Sequence, residues 1–287
     1  LRKEAKDPNQ TSAHFLVHNA ITVIELSSAD AIAPAGSVWS CADDMAKWMV
    51  CMLDSSKYEG GKRLVSAKTW REMFKPQVMV TADQFYPTAQ LTKPNWTTYG
   101  LGWFQQDYRG HKVNFHTGSL FGAIAINGQL PDEKLGIYVF GNYDHAEVRH
   151  SLMFKAFDHF GLGGTRDWNA EFLKLYQGLR AQGEKEVKNF EAKRVTNTTP
   201  SLPIEQYAGK YTDPLYGELE VTVQNKKLLV NLNNNRQKAT LDHWHYDTFR
   251  GEYDKAWNGT ALAQFSLNAT GQLDKINFEG LEFKKQK

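Results

Sequence analysis

Cysteine is nearly absent: Cys41 and Cys51 are the only two among 287 residues. Both fall in one expected helix, where ten steps of about 1.5 Å hold them roughly 15 Å apart, too far for a disulfide. Neither has metal-ligand spacing, so both read as small buried hydrophobes. Long apolar runs are missing too, and none approaches the roughly 18 residues that a membrane-spanning helix needs. An excess of one charge is also lacking. With 34 basic and 32 acidic side chains the formal balance is +2, so no bulk field draws the chain to nucleic acid or anionic lipid. No charged and apolar leader pattern follows Leu1, and the chain reads as beginning in the middle of a longer protein.

What is present is ordinary globular texture, long enough for roughly two domains of about 150 residues. Residues 1–7 are charged and expected to fray. Short strands are expected over 14–17 and 20–26, around a His18-Asn19 turn. Pro34 and Gly36 break the chain, and Ser40, with Asp43 three residues on, has the chemistry of a helix N-cap. Met45, Trp48, Met49 and Met52 then follow the i, i+3, i+4, i+7 stripe of a buried helical face. A second short helix is expected over 66–74, and a polar loop to about Thr97.

Residues 99–108, 112–117, 122–130 and 135–140 read as four strands of an antiparallel meander, with turns at Arg109-Gly110 and over 131–134. Residues 145–160 carry helical spacing that can cover one face of such a sheet. Asp167 caps a further helix to about Leu179, and the charged run over 184–194 with Pro200 marks the best boundary. Beyond Pro203, seven short strands are expected, over 209–212, 218–223, 227–232, 238–241, 248–253, 261–267 and 273–278. Their even spacing suggests a small closed or nearly closed antiparallel barrel, filled by Trp244, Tyr246, Phe249 and Trp257. The fold class is therefore α+β, an antiparallel sheet flanked by helices, followed by a small all-β lipocalin-like barrel. The division is 1–165, a helical linker over 166–202, and the barrel over 203–287.

The sharpest local feature is Phe115-His116-Thr117-Gly118-Ser119, a small polar triplet where a strand ends. Around it lie, in order, Pro34-Ala-Gly36 with Ser40 and Met45-Ala-Lys-Trp48, then Tyr99-Gly-Leu-Gly-Trp103. The triplet comes next, and Pro131 with Gly136-Ile137 and Phe140-Gly-Asn142 complete the set. Over residues 11–162 this ordered set resembles the C-terminal half of serine β-lactamase-like hydrolases of the class C type. Those include penicillin-binding proteins, D-aminopeptidases and carboxylesterases. Residues 203–285 resemble the small barrel often appended to that family.

The resemblance implies a catalytic and substrate-binding role for His116, Thr117 and Ser119, and a substrate-binding role for Gly118. His116 stands where the family commonly has lysine and would orient the proton network around the nucleophile. Thr117 would hydrogen-bond a polar group of the substrate, Gly118 would leave room for it, and the Ser119 N–H would serve as one oxyanion donor. The family's nucleophile lies in Ser-x-x-Lys, with a second Tyr-x-Asn or Ser-x-Asn motif upstream. No Ser-x-x-Lys or Tyr-x-Asn occurs here, and Ser266 to Asn268 falls in the barrel.

The chain is therefore expected to be part of a serine hydrolase that forms its acyl-enzyme on an upstream serine, and to be inactive alone. No metal and no organic cofactor is implied; His14, His18, His145, His150, His243 and His245 lack metal spacing with a third ligand. The expected partners are a small-molecule or peptide-like acyl substrate and the N-terminal half of the same protein. Copies can also self-associate through an exposed strand edge over 135–140. Family likeness implies a periplasmic or secreted location. The rival reading is a non-catalytic binding protein with a degenerate hydrolase fold and a ligand-binding barrel.

Overall fold

The computed structural model describes residues 9–25, 28–233 and 237–286. The expected fraying over 1–7 and the end of the second strand at Leu26 lie outside the described residues. The chain divides into two compact units, residues 1–182 and 183–287.

The first unit opens with a hairpin of β1 (Ala13–Val17) and β2 (Ala20–Ile24), turned by left-handed His18 and Asn19. Its helices are α1 (Ala33–Gly36), α2 (Ala42–Leu53) and α3 (Ala67–Met73). The N-cap of α2 is Cys41, not Ser40, and no side chain caps it; Asp43 and Asp44 in the first turn favour the helix through its dipole instead. Cys41 is exposed rather than buried, because it precedes the helix, whereas Cys51 is buried among the apolar stripe. Ser66 does cap α3, accepting from the Thr69 N–H at 3.1 Å.

The expected polar loop to Thr97 contains β3 (Val78–Met79) and α4 (Ala89–Thr92). The single strand expected over 99–108 is two, β4 (Thr97–Tyr99) and β5 (Phe104–Tyr108), because Gly100 to Trp103 turn the chain, with Gly102 at φ 82°. β6 (His111–Leu120), β7 (Ala123–Leu130) and β8 (Leu135–Gly141) complete a six-stranded antiparallel sheet in the order β3-β4-β5-β6-β7-β8. The polar triplet lies inside β6, not at its end.

Alternation along these strands sends different chemistry to the two faces. One face places Phe115 and Ile126 against Met153 and Phe154 of α5 (Val148–Ala156) and Trp168 and Phe172 of α6 (Trp168–Ala192). The expected helix over 145–160 is α5 followed by a π-helical turn, Phe157–Leu162. α6 continues well past Leu179 through the charged run, whose Glu and Lys residues favour helix and which holds no proline.

The other face carries a row of buried polar side chains, Thr98, Gln105, Asn114 and Gln129, that are register partners across four strands. Gln105 Nε2 donates to the Phe74 carbonyl at 2.7 Å and to Asn114 Oδ1 at 3.2 Å, and Gln129 Nε2 lies 3.5 Å from Met49 Sδ. These bonds tie the sheet to α2 and to the end of α3 while satisfying amides that would be costly to bury unpaired.

The first hairpin is fastened to one end of this sheet. The His14 N–H donates to the carbonyls of Gly122 (3.1 Å) and Asn142 (2.9 Å), and the Asp144 N–H donates to the His14 carbonyl at 3.0 Å. Phe140-Gly-Asn142, noted in the sequence, thus forms part of the seat for β1.

The second unit is a closed eight-stranded antiparallel barrel. Its strands are β9 (Gly209–Asp213), β10 (Gly217–Gln224), β11 (Lys227–Leu232), β12 (Gln237–His245), β13 (Thr248–Tyr253), β14 (Thr260–Leu267), β15 (Leu273–Phe278) and β16 (Leu281–Lys285). The eighth, β16, was not expected; it closes the ring against β9. Tyr207, Tyr211, Phe249, Phe265, Phe278 and Phe283 fill the interior. Of the four aromatics assigned to that interior only Phe249 is there. Trp244 lies under the Arg194 guanidinium at 4.3 Å and beside Phe190, Trp257 is only half-buried, and Tyr246 is exposed. In β12 buried Ala239 and Leu241 mark the inward face, so alternation turns Trp244 outward, at the bulge between His243 and His245.

A Cβ on Gly251 would lie 1.8 Å from the Thr240 carbonyl oxygen of the adjacent strand. Gly251→Ala should therefore destabilise the barrel by about 3 kcal/mol. Urea unfolding of the chain, followed by fluorescence of the barrel aromatics, checks this; an unchanged midpoint would mean the strands are spaced more widely there.

Candidate active site

The candidate site is set by a mismatch in strand length. β5 pairs with β6 from Tyr108↔His111 to Phe104↔Phe115 and then turns away, while β6 runs on to Leu120, paired only with β7. The β6–β7 loop is two residues, Phe121 and Gly122, at φ 49° and 77°, the pattern of a type I′ hairpin. Such a loop closes on a hydrogen-bonded pair, here Leu120↔Ala123, and hydrogen-bonded and open pairs alternate from it. Ser119 and Thr117 therefore aim their backbone N–H and C=O groups away from β7, towards the side that β5 has vacated. Counting from the other hairpin, Tyr108↔His111, gives the same phase. Among the described residues this stretch has no second strand neighbour.

Gly118 lies between these two outward-facing residues and is exposed, and a Cβ added there would meet no atom within 4 Å. The space over this face of the strand is open. Half-buried His116 accompanies it, with Nε2 3.0 Å from the Tyr99 hydroxyl. Burial pushes the His116 pKa below the ordinary histidine value, with a contact to the Thr117 backbone pulling the other way, and burial pushes the Tyr99 pKa up. Near neutral pH both are uncharged. When the phenol donates to Nε2, the imidazole carries its proton on Nδ1.

Thr117 and Ser119 have side chains on the α5 face. The Thr117 hydroxyl donates to the Ala125 carbonyl at 2.9 Å, leaving its oxygen free only to accept. Arg149 Nη1 donates to Ser119 Oγ and to the Gly118 carbonyl, each at 2.7 Å. Arg149 is buried, and its Nη2 lies 3.3 Å from Glu147, which also bonds His150 Nδ1 at 3.0 Å. Burial disfavours the Glu147 carboxylate, yet the His150 hydrogen bond and the Arg149 charge outweigh it and hold its pKa below the usual range. His150 is completely buried in this network, and burial lowers its pKa.

The structure thus brings His116, Thr117, Gly118 and Ser119 to one strand beside an open edge. Sequence reasoning missed Tyr99, Glu147 and Arg149 as neighbours of that strand. Tyr99 stood in a quoted motif, but only the β4–β5–β6 register brings its hydroxyl to His116. Among the described residues no group of three His, Cys, Asp or Glu side chains is arranged to hold a metal ion.

The profile of the Beta-lactamase family matches residues 2–156, and that of a domain of unknown function, DUF3471, matches residues 193–287. The chain is 28% identical over 218 residues to an unguisins hydrolase of Aspergillus campestris, covering 69% of this chain and 36% of that protein. A second unguisins hydrolase, from Aspergillus violaceofuscus, is 25% identical over 204 residues, 67% of this chain and 35% of that one. The chain therefore spans about a third of the length of these relatives. Among solved structures, a penicillin-binding protein homologue from Pyrococcus abyssi superposes with a TM-score of 0.45 at 15% identity, over 99% of this chain and 55% of that one.

Because His116 and His150 both resist protonation in the folded state, the unfolded chain binds more protons once the pH falls below its ordinary histidine value of about 6.5. Stability should be flat above that value and decline on acidification through it until the lowered native values are reached. The Glu147 contribution, from a lowered carboxylate, is lost only at more acidic pH. Urea midpoints between about pH 7.5 and pH 5.5 should fall in the parent, and by less in His116→Gln. Equal slopes in the two proteins would show that His116 titrates as a solvated group.

Proposed function

The chain belongs to the Beta-lactamase family through residues 2–156, and from that premise we propose that it forms one wall of the active site of a serine acyl hydrolase. The substrates are esters, D-amino-acid peptides or β-lactams, taken through an acyl-enzyme on a serine upstream of this chain. The observation that carries this reading is the unpaired stretch of β6 beyond Phe115, with outward backbone groups at Thr117 and Ser119 and open space at Gly118.

An acyl substrate laid along that stretch hydrogen-bonds as an added strand would. As the serine oxygen attacks the acyl carbon, the C–O π pair moves to the carbonyl oxygen, and the outward Ser119 N–H donates to that developing charge. One such donor typically supplies about 3 to 4 kcal/mol of transition-state stabilisation. His116, neutral and bonded to Tyr99, holds the proton network beside the nucleophile in one orientation. A neutral imidazole in place of a lysine ammonium favours uncharged acyl groups over carboxylate-bearing ones. Ser119 is no nucleophile in this reading, because its hydroxyl oxygen accepts from Arg149 and no base among the described residues is hydrogen-bonded to it.

The rest of the protein, in this proposal, supplies the serine motif and pairs along the outer edge of β8, the last strand of the sheet, where Phe140 is exposed. Copies of the chain alone would use the same edge to associate. The family likeness supports a periplasmic or secreted location, and no helix of the described residues is long and apolar enough to cross a membrane. The rival reading of a ligand-binding barrel gains nothing from an interior filled with side chains.

Incubated with a fluorophosphonate or penicillin, the 287-residue chain should show no covalent adduct by intact mass; stoichiometric labelling of Ser119 or any other residue would overturn the proposal. In the whole protein, Gly118→Val should fold normally, since its side chain meets open space, and should lower kcat/KM at least tenfold by blocking the strand edge. Unchanged turnover would remove this edge from the site.

A further inference from the structure

A cavity of about 630 Å³ lies in the first unit where the β5–β6 turn meets α4 and the segment joining α5 to α6. Its walls include Lys93, Tyr108, Arg109, Asp158, Thr165 and Arg166. From His111, beside it, to Ser119 is eight residues of extended strand, about 26 Å. The candidate active site is at the far end of β6, so this cavity is not part of it. Its volume falls in the range of small-molecule sites.

We propose that this cavity binds a small organic anion, a molecule bearing a carboxylate or phosphate group. Three of the four charged side chains that line it are cationic. The one acid, Asp158, is buried and already accepts three hydrogen bonds. Its Oδ1 accepts from the Tyr108 hydroxyl and Arg109 Nη1, each at 2.8 Å, and its Oδ2 accepts from Trp168 Nε1 at 2.7 Å. Asp158 thereby turns the Arg109 side chain into a fixed cation whose Nε and Nη2 groups remain for a ligand.

Arg166 is fixed as well. Its Nε donates to Glu171 at 2.7 Å, its Nη1 donates to the Leu91 carbonyl at 3.0 Å, and its guanidinium stacks 4.0 Å from the Trp168 ring centre. Glu171 offsets the Arg166 charge, as Asp158 offsets that of Arg109. Lys93 has no ion-pair partner among the described residues and leaves the cavity net positive. The two guanidiniums, locked before a ligand arrives, cost little ordering entropy on binding, and exposed Lys93 adds its charge at the rim. The remaining lining, Leu91, the Tyr108 ring and the Thr165 hydroxyl, suits a ligand with a small apolar body and a polar tip. A metal cation is disfavoured by the same charges.

The test is an NMR titration of the 15N-labelled 287-residue chain with inorganic phosphate and with succinate, against potassium chloride at matched ionic strength. Saturating shifts at the Gly163, Gly164 and Thr165 amides are expected with at least one of the two. A response to phosphate alone identifies a phosphate-bearing ligand, and one to succinate alone a carboxylate. Lys93→Glu, at an exposed position outside any ion pair, should keep the parent spectrum elsewhere and weaken the affinity about tenfold. Arg109→Lys keeps the charge on Asp158 but loses the fork and should weaken it too. Shifts no larger than those from chloride, or unaltered affinity in Lys93→Glu, would overturn the proposal.

Discussion

The organisation of the first unit depends on the offset between two neighbouring strands. β6 outruns β5 beyond Phe115, and antiparallel hydrogen bonding fixes which residues of the overhang face the gap. Everything near the candidate site follows from that geometry. Gly100 to Trp103 end β5's ladder early, the Phe121-Gly122 hairpin sets the phase, and Thr117 and Ser119 turn their backbone groups outward. An unpaired internal strand would ordinarily invite aggregation. Here the overhang is short, its middle residue is glycine, and the Tyr99–His116 pair stands beside it.

The two faces of the sheet stabilise that strand by different means. Beneath Ser119 the support is ionic, with buried Arg149 gripping the strand's carbonyl and hydroxyl and Glu147 balancing the charge. Removing one partner of such a buried pair costs more than the pair contributes, since the survivor is left charged and dry. Across the opposite face the support is a row of polar side chains running from the Thr98 hydroxyl to the Gln129 amide, bonded to Phe74 and in contact with Met49. Both arrangements constrain register, because sliding β6 by one residue would move every polar side chain to the wrong face.

The barrel holds itself together differently. Its interior is filled by aromatic and aliphatic side chains, and its polar anchoring sits at the rim, where Asp247 accepts from Tyr207 and from both the N–H and the hydroxyl of Ser201. Burial works against the Asp247 carboxylate, but these donors outweigh it and keep its pKa low. The chain preceding β9 is thereby tied to the β12–β13 turn.

Local chemistry in the sequence determined the strands of the meander, the apolar stripe of α2, the Ser66 cap and the alternation of the barrel. Period-2 patterning and turn residues are readable without neighbours. His116 to Ser119 stand out only through the resemblance of the ordered motifs around them to a known family. Contacts distant in sequence decided the rest. Whether β6 ends or overhangs depends on where a different strand stops. Arg149 looks like any helical arginine until α5 packs under Ser119, and Tyr99 reaches His116 only through two strand pairings. Trp244 is expected inside the barrel only as an aromatic residue, whereas the alternation set by buried Ala239 and Leu241 turns it outward. β16 escaped notice because a short, lysine-rich segment has little strand character until β9 and β15 pair with it. Sequence periodicity records which side of an element is apolar; only the folded chain determines what lies against it.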